Sequence, residues 1–169
     1  MRVWYGLGSA LFFLIAPGTM AGLIPWWVNG WEILPPFLGW EGVRWIGAAF
    51  IAGGLAILIE SFARFVIKGF GTPAPVAPPK RLVVTGLYRY VRNPMYVGVI
   101  SAVVGQALLL GDARLFWYAI IGWVGFHLFV LLYEEPTLRV TFGDEYERFC
   151  ANVPRWLPRI RPWRADPMA

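Results

Sequence analysis

Four long apolar stretches, separated by short polar or proline-rich runs, dominate the pattern along the chain. They are Trp4–Leu23, Val43–Ile67, Pro94–Leu110 and Leu115–Tyr133. A helix needs roughly 20 apolar residues to cross a bilayer. Unpaired backbone groups are too costly in hydrocarbon, so each stretch is expected to be helical. Pro17 predicts a kink in the first. Only Gly111-Asp112-Ala113-Arg114 joins the third and fourth, which forces an antiparallel hairpin with both arms near the lower length limit.

The polar remainder has its own pattern. Pro73, Pro75, Pro78 and Pro79 predict extended, semi-rigid chain between the second and third stretches. After Tyr133, the residues Leu138, Phe142, Tyr146 and Phe149 recur at spacings that mark one face of an amphipathic helix, weakened by Gly143. Such a helix would lie at the interface or dock on the rest of the chain. The expected fold is an all-α integral membrane protein with about four transmembrane helices. It forms a single membrane domain over 1–169: two N-terminal spans in 1–67, a connector over 68–93, the hairpin at 94–133 and a helical tail at 134–169.

Composition supports the membrane reading. Hydrophobic residues make up 58% of the chain and charged ones 15%, against the roughly 25% charged residues of soluble domains. Ten Trp, seven Tyr and twelve Phe suit the two membrane–water interfaces. Met1–Ala21 could imitate a signal peptide, but the uncharged run continues from Val3 to Trp31 without a small-x-small cleavage site. The single cysteine, Cys150, leaves no intramolecular disulfide and no Cys-based zinc site.

The net charge of +5 is divided by membrane side, which argues against a nucleic-acid partner. Arg64, Lys68, Lys80, Arg81, Arg89 and Arg92 lie between the second and third stretches or at their ends. Arg139, Arg148, Arg155, Arg159, Arg161 and Arg164 follow the fourth. Two crossings separate these groups, so they share a side; the other side holds only Arg44 and Arg114, with Glu32, Glu41 and Asp112. Basic residues stay in the cytoplasm, which places both groups and Arg2 there.

Two stretches carry more chemistry than an anchor needs. Thr85–Gly98 leads into the third helix, with Pro94 at the first helical turn and Asn93 as the expected N-cap. Free N–H groups at that helix start, beside Arg92, suit a carboxylate or phosphate. Glu134-Glu135-Pro136 stands at the expected end of the fourth helix, where the helix dipole is already negative. Such a pair calls for a compensating cation, either a protein arginine or a ligand. The hairpin would make Arg92 and Asn93 neighbours of Glu134 and Glu135, and a site with both signs of charge fits a zwitterion.

The runs RLVVTGLYRYVRNPMYVG, EEPTLRVTFGDEYERF and VPRWLP, in this order, resemble the isoprenylcysteine carboxyl methyltransferase and phospholipid methyltransferase superfamily over about Pro73–Pro158. The resemblance implies a membrane methyltransferase that uses S-adenosylmethionine, held on the cytoplasmic face of a bacterial inner membrane. Carried over by motif, Tyr88, Arg92, Asn93, Pro94 and Tyr96 would form one wall of the cofactor site. Glu134, Glu135 and Tyr146 would form the other, with Arg155 closing it, and Arg92, Glu135 and Arg155 are the candidate catalytic residues. Many members have His where this chain has Asn93, so acid/base chemistry at that position is lost. The acceptor stays open between a lipid-like molecule and a small apolar carboxylate, thiol or amine; membrane lipids are expected partners, and no metal is expected. The residues agree: Arg and helix N–H groups suit the donor's carboxylate, Glu134 or Glu135 its ammonium, and Tyr faces its adenine and sulfonium. Methyl transfer needs alignment and exclusion of water rather than a catalytic dyad.

Other polar residues have simpler readings. His127 stands alone in the fourth stretch and is expected to pack through a hydrogen bond. Glu60 and Arg64, four apart, pair on one helix face, and Gln106 bonds across helices. Cys150 reads as a small apolar residue. Two other classes stay open: an NADPH-dependent membrane reductase of the sterol-reductase type, and a non-enzymatic membrane interaction protein. Neither the acceptor nor the oligomeric state is legible.

Overall fold

A computed structural model describes residues 15–64 and 82–164. All regular structure among the described residues is helical. The prolines of the connector, Arg2 and the start of the first apolar stretch lie outside them. We number the helices α1 (residues 15–29), α2 (Gly42–Arg64), α3 (Pro94–Leu110), α4 (Ala113–Phe129), α5 (Glu135–Phe142) and α6 (Asp144–Asn152).

α2, with 23 residues, and the continuous helix Ala113–Phe142, with 30, are long and apolar enough to cross a membrane; α3 is apolar but shorter, at 17 residues. Their outer faces expose Trp45, Ile59, Trp117 and Leu132, the side chains a lipid environment would cover. α2 packs against α3 through two pairs of glycines seven residues apart. A Cβ at Gly47 would lie 2.6 Å from the Gly105 carbonyl oxygen, and one at Gly54 would lie 2.6 Å from that of Gly98. The two backbones therefore touch, as small residues allow where apolar burial no longer drives association.

The first helix runs past its expected end. It was expected to stop at Leu23; instead it continues to Asn29 and ends at Gly30 in the left-handed conformation, while the kink expected at Pro17 turns on the residues before it, which lie outside the described ones. Its irregularity is a π turn at Thr19–Leu23. There the Ile24 N–H reaches back to the Thr19 carbonyl, and Pro25 has no N–H to give to Ala21. The freed carbonyls find side chains on other helices. Gln106 Nε2 donates to the Ala21 oxygen at 2.7 Å, and the Tyr118 hydroxyl donates to the Met20 oxygen at 2.8 Å. Proline is tolerated because α3 and α4 replace the bonds it removes.

The same device corrects the fourth helix. Glu134 and Glu135 do not stand at a helix C-terminus. A π turn at Val130–Glu134, closed by the Glu135 N–H on the Val130 carbonyl, admits Pro136 and carries the helix on into α5. The dipole penalty expected for the pair does not arise. The tail is not one helix either. Gly143, at φ 50° and ψ −127°, separates α5 from α6. The expected apolar face survives as a packed set across this break: Tyr146, Phe149 and Val153 form a core against Leu138, Phe142, Leu82, Val84 and Trp163.

The far end of the hairpin is closed by its own polar set. Gly111 turns in the left-handed conformation and Asp112 caps α4 through the Arg114 N–H. Asp112 is buried and also accepts from Asn29 Nδ2 at 2.8 Å and from the Arg114 guanidinium at 2.7 Å. Hydrogen bonds from Arg114 first, and from Asn29, hold its carboxyl down to about 2 against the opposing effect of burial.

Candidate active site

At the opposite end of α3, the two chemical stretches of the sequence meet. Pro94 is buried at the first turn of α3, and Asn93 occupies the N-cap position. Its side chain does not cap the helix, contrary to expectation. Asn93 Nδ2 instead donates to the Arg155 carbonyl at 3.2 Å, tying the helix start to the tail.

Glu135, 3% exposed, is ringed by arginines. Arg155 Nε donates to it at 2.6 Å and Arg155 Nη2 at 3.0 Å, Arg92 Nη1 donates at 3.0 Å, and Arg139 stands 3.8 Å away. The hydrogen bond to Glu135 holds the Arg155 guanidinium above its ordinary range. Arg92 Nη1 also contacts Cys150 Sγ at 2.8 Å, while Arg92 Nε is buried without a partner. Glu134 faces a different neighbour, accepting a short hydrogen bond from the Tyr96 hydroxyl.

Tyrosines line the junction. Tyr88 is buried in the 3-10 turn Gly86–Arg89. Burial first, then the Glu134 and Glu60 carboxylates, push its hydroxyl far above the usual tyrosine range. Tyr146, on α6, is raised by burial and then by the neighbouring Cys150. The Tyr96 ring stacks on Phe126 at 4.4 Å between centroids and lies near Trp156. Trp156 Nε1 donates to His127 Nδ1 at 3.0 Å, so His127 has the packing role read from the sequence.

Backbone bonds lock the tail to the first stretch. The Arg92 N–H donates to the Pro154 carbonyl, the Arg159 N–H to that of Tyr90 and the Trp163 N–H to that of Arg89. The tail therefore runs antiparallel to residues 89–92. Arg92, Asn93, Tyr96, Glu134, Glu135 and Arg155 converge on one place, with Tyr88 and Tyr146 beside it. The sequence reading did not place Phe126, Trp156, Cys150 or Glu60 at the site, giving Glu60 a structural pairing and Cys150 an apolar role, yet the fold brings them to the same junction. Glu60 alone carried a signal, as a charge inside an apolar helix.

This convergence of residues 85–98 with 134–155 invites comparison with known proteins. Residues 43–145 match the family model for phospholipid methyltransferase. The chain belongs to the phospholipid methyltransferase family. Like the apolar helices, this membership marks it as a membrane protein. It is 36% identical over 80 residues to a protein-S-isoprenylcysteine O-methyltransferase of Schizosaccharomyces pombe, a stretch covering 47% of this chain and 34% of that protein. A probable protein-S-isoprenylcysteine O-methyltransferase of Oryza sativa subsp. indica is 35% identical over 81 residues, 47% of this chain and 42% of that one. A protein-S-isoprenylcysteine O-methyltransferase B of Arabidopsis thaliana is 32% identical over 81 residues, with 47% and 41% covered. The match thus spans well under half of each of these relatives. No solved structure matches the chain.

Proposed function

We propose that this member of the phospholipid methyltransferase family is an S-adenosylmethionine-dependent membrane methyltransferase acting on a lipid-like acceptor. The observation that supports it most is the convergence itself. Arg92 from the approach to α3 and Arg155 from the tail both hold Glu135, while Tyr96 holds Glu134. Such a site has unequal parts. Glu135 is saturated by arginines and serves to fix the tail. Glu134 has one neutral hydrogen-bond partner, Tyr96, and no protein cation among the described residues, which leaves it for a ligand cation, the donor's ammonium. Arg92 Nε, buried and unpartnered, suits the donor's carboxylate. Tyr96, Tyr88 and Trp156 offer aromatic faces to adenine and to the sulfonium.

The donor supplies a methyl group on a positively charged sulfur. The chain's residues contribute alignment and a dry, aromatic surround, the terms that matter for in-line displacement. Asn93 carries no proton in this scheme, and its amide positions Arg155. We also propose that four helices span the bilayer, with the arginine-rich end in the cytoplasm, where the polar donor is available. The test is transfer of labelled methyl from S-adenosylmethionine to lipids in vesicles holding the full chain. Labelled lipid is expected from the wild type, and roughly tenfold or greater loss of donor affinity from Glu134→Gln, the scale of a charge-assisted hydrogen bond. Transfer and donor affinity unchanged by Glu134→Gln would overturn the assignment of Glu134.

A further inference from the structure

The tail ends in a strap, residues 154–164, that the proposed donor site uses only at its start. No helix follows α6 among the described residues, and Pro154, Pro158 and Pro162, four apart, keep the strap from forming one. Its inner side is pinned. Besides the backbone bonds from Arg159 and Trp163, Arg89 Nε donates to the Trp163 carbonyl at 2.7 Å and Arg159 Nη1 to that of Asn152 at 2.6 Å. Two tryptophans face inward: Trp163 lies 5.9 Å from Phe149 between ring centroids, and Trp156 lies 6.0 Å from Trp123. Leu157 and Ile160 face outward and are 80% and 98% exposed.

The strap's level and charge say what covers these tips. Trp156 lies 6.4 Å from Tyr96, in the first turn of α3, and beside Trp123, an exposed residue of the long apolar helix. In a membrane protein the start of an apolar helix marks the boundary between headgroups and acyl chains, where tryptophan collects. Every charged residue of the strap is an arginine: Arg155, Arg159, Arg161 and Arg164. Arg155 is held by Glu135, whereas Arg161 and Arg164 are exposed. The exposed carboxylates of the tail, Asp144, Glu145 and Glu147, stand on α6, before the strap. Apolar tips set among exposed arginines match a leaflet whose phosphates carry net negative charge. We propose that the strap docks on an anionic lipid leaflet and thereby steadies Arg155 in the donor site. Leu157 and Ile160 enter the leaflet's apolar edge, and Arg161 and Arg164 meet its phosphates. The link to Arg155 rests on the donor reading above; the docking itself does not.

Two contributions act together. Burying Leu157 and Ile160 removes apolar surface from water whatever the headgroup. Each arginine near an anionic surface strengthens attachment roughly fivefold, an attraction that salt screens. Arg155 stands two residues before Leu157. A strap held on the leaflet therefore keeps the Arg155 guanidinium on Glu135 and its carbonyl on Asn93 Nδ2.

The test uses the full chain in nanodiscs of phosphatidylcholine, with and without phosphatidylglycerol. A fluorophore on Ile160→Cys, in a Cys150→Ser background, reads docking with no donor present. Quenching by lipids brominated on their acyl chains is expected, stronger with phosphatidylglycerol and weakened by high salt. A label reached by aqueous iodide and silent to brominated lipid would leave the tips to water or to a protein partner and overturn the docking. Quenching indifferent to phosphatidylglycerol would overturn it too. The pair Arg161→Gln and Arg164→Gln, made in the otherwise native chain, guards against disturbance by the Cys150 change. The native chain should bind S-adenosylmethionine roughly threefold or more tightly in the anionic discs, and the double variant equally in both. A gain that the variant retains would be accumulation of the cationic donor at an anionic surface and would overturn the link to Arg155, as would no gain in the native chain. Donor binding absent from both discs, with the label quenched by lipid, would instead overturn the donor site and leave the docking standing.

Discussion

Glu134 and Glu135 are adjacent in sequence but meet opposite surroundings. Glu135 is held by Arg92 and Arg155 with Arg139 nearby, so its removal leaves arginines facing one another in a nearly closed space. Glu135→Gln is expected to cost about 2–3 kcal/mol, less than the ~3–5 of a fully buried pair because Arg155 and Arg139 keep some water. Thermal unfolding in detergent would show this as a lower midpoint, and an unchanged midpoint would make the cluster a solvated surface group. Glu134→Gln keeps a hydrogen bond to Tyr96 and should leave the midpoint nearly unchanged, while weakening donor affinity by about 1.5–3 kcal/mol. Asp112 supplies a pH signature at the other end. Its carboxyl is lowered in the folded state, so its contribution is complete above the ordinary carboxylate range and is lost as pH falls toward about 2. Asp112→Asn should flatten the fall in midpoint over that acid window. An identical acid profile in the variant would show that the Asp112–Arg114–Asn29 set contributes nothing.

Between α2 and α3, the Gly47–Gly105 and Gly54–Gly98 contacts leave no room for a side chain. A Cβ at Gly105 would lie 2.7 Å from the backbone nitrogen of Ile51, so Gly105→Ala must push the helices apart and is expected to cost about 1–3 kcal/mol. Gly53, with nothing within 4 Å of its Cβ position, is the control, and Gly53→Ala should lose nothing. Equal midpoints for the two variants would refute the close crossing. The seven-residue spacing stands in the sequence, yet only the partner helix gives it meaning. The same limit explains what else was legible. Pro94–Leu110 has the bounds its apolar run gives it, with proline at the start and left-handed Gly111 at the end. Pro25 and Pro136 hid the true helix ends, because a proline reads as a stop unless a π turn and outside donors such as Gln106 and Tyr118 accommodate it. The meeting of Arg92 with Glu135 was legible from hairpin geometry alone. The division of roles between Glu134 and Glu135 was not, because it depends on Arg155, which the tail delivers only after folding back over residues 89–92.

Among the described residues, polar chemistry is gathered at the two ends of a helical body whose outer faces are apolar. The arginine-rich end holds the candidate active site, and the other holds Asp112, Asn29 and Arg44. A reporter after Ala169 and one within Pro73–Pro79 should both register cytoplasm, and one at Asp112 the opposite side; finding Ala169 and Asp112 together would remove the spanning hairpin. The membrane-reductase alternative would use the same end of the molecule with a different ligand, so the ligand is the sharpest question. The direct measurement is calorimetric titration of the full chain in detergent with S-adenosylmethionine and, separately, with NADPH. Saturable binding of S-adenosylmethionine, weakened by Glu134→Gln and unaffected by excess NADPH, is the predicted result. Saturable binding of NADPH with none of S-adenosylmethionine would contradict it.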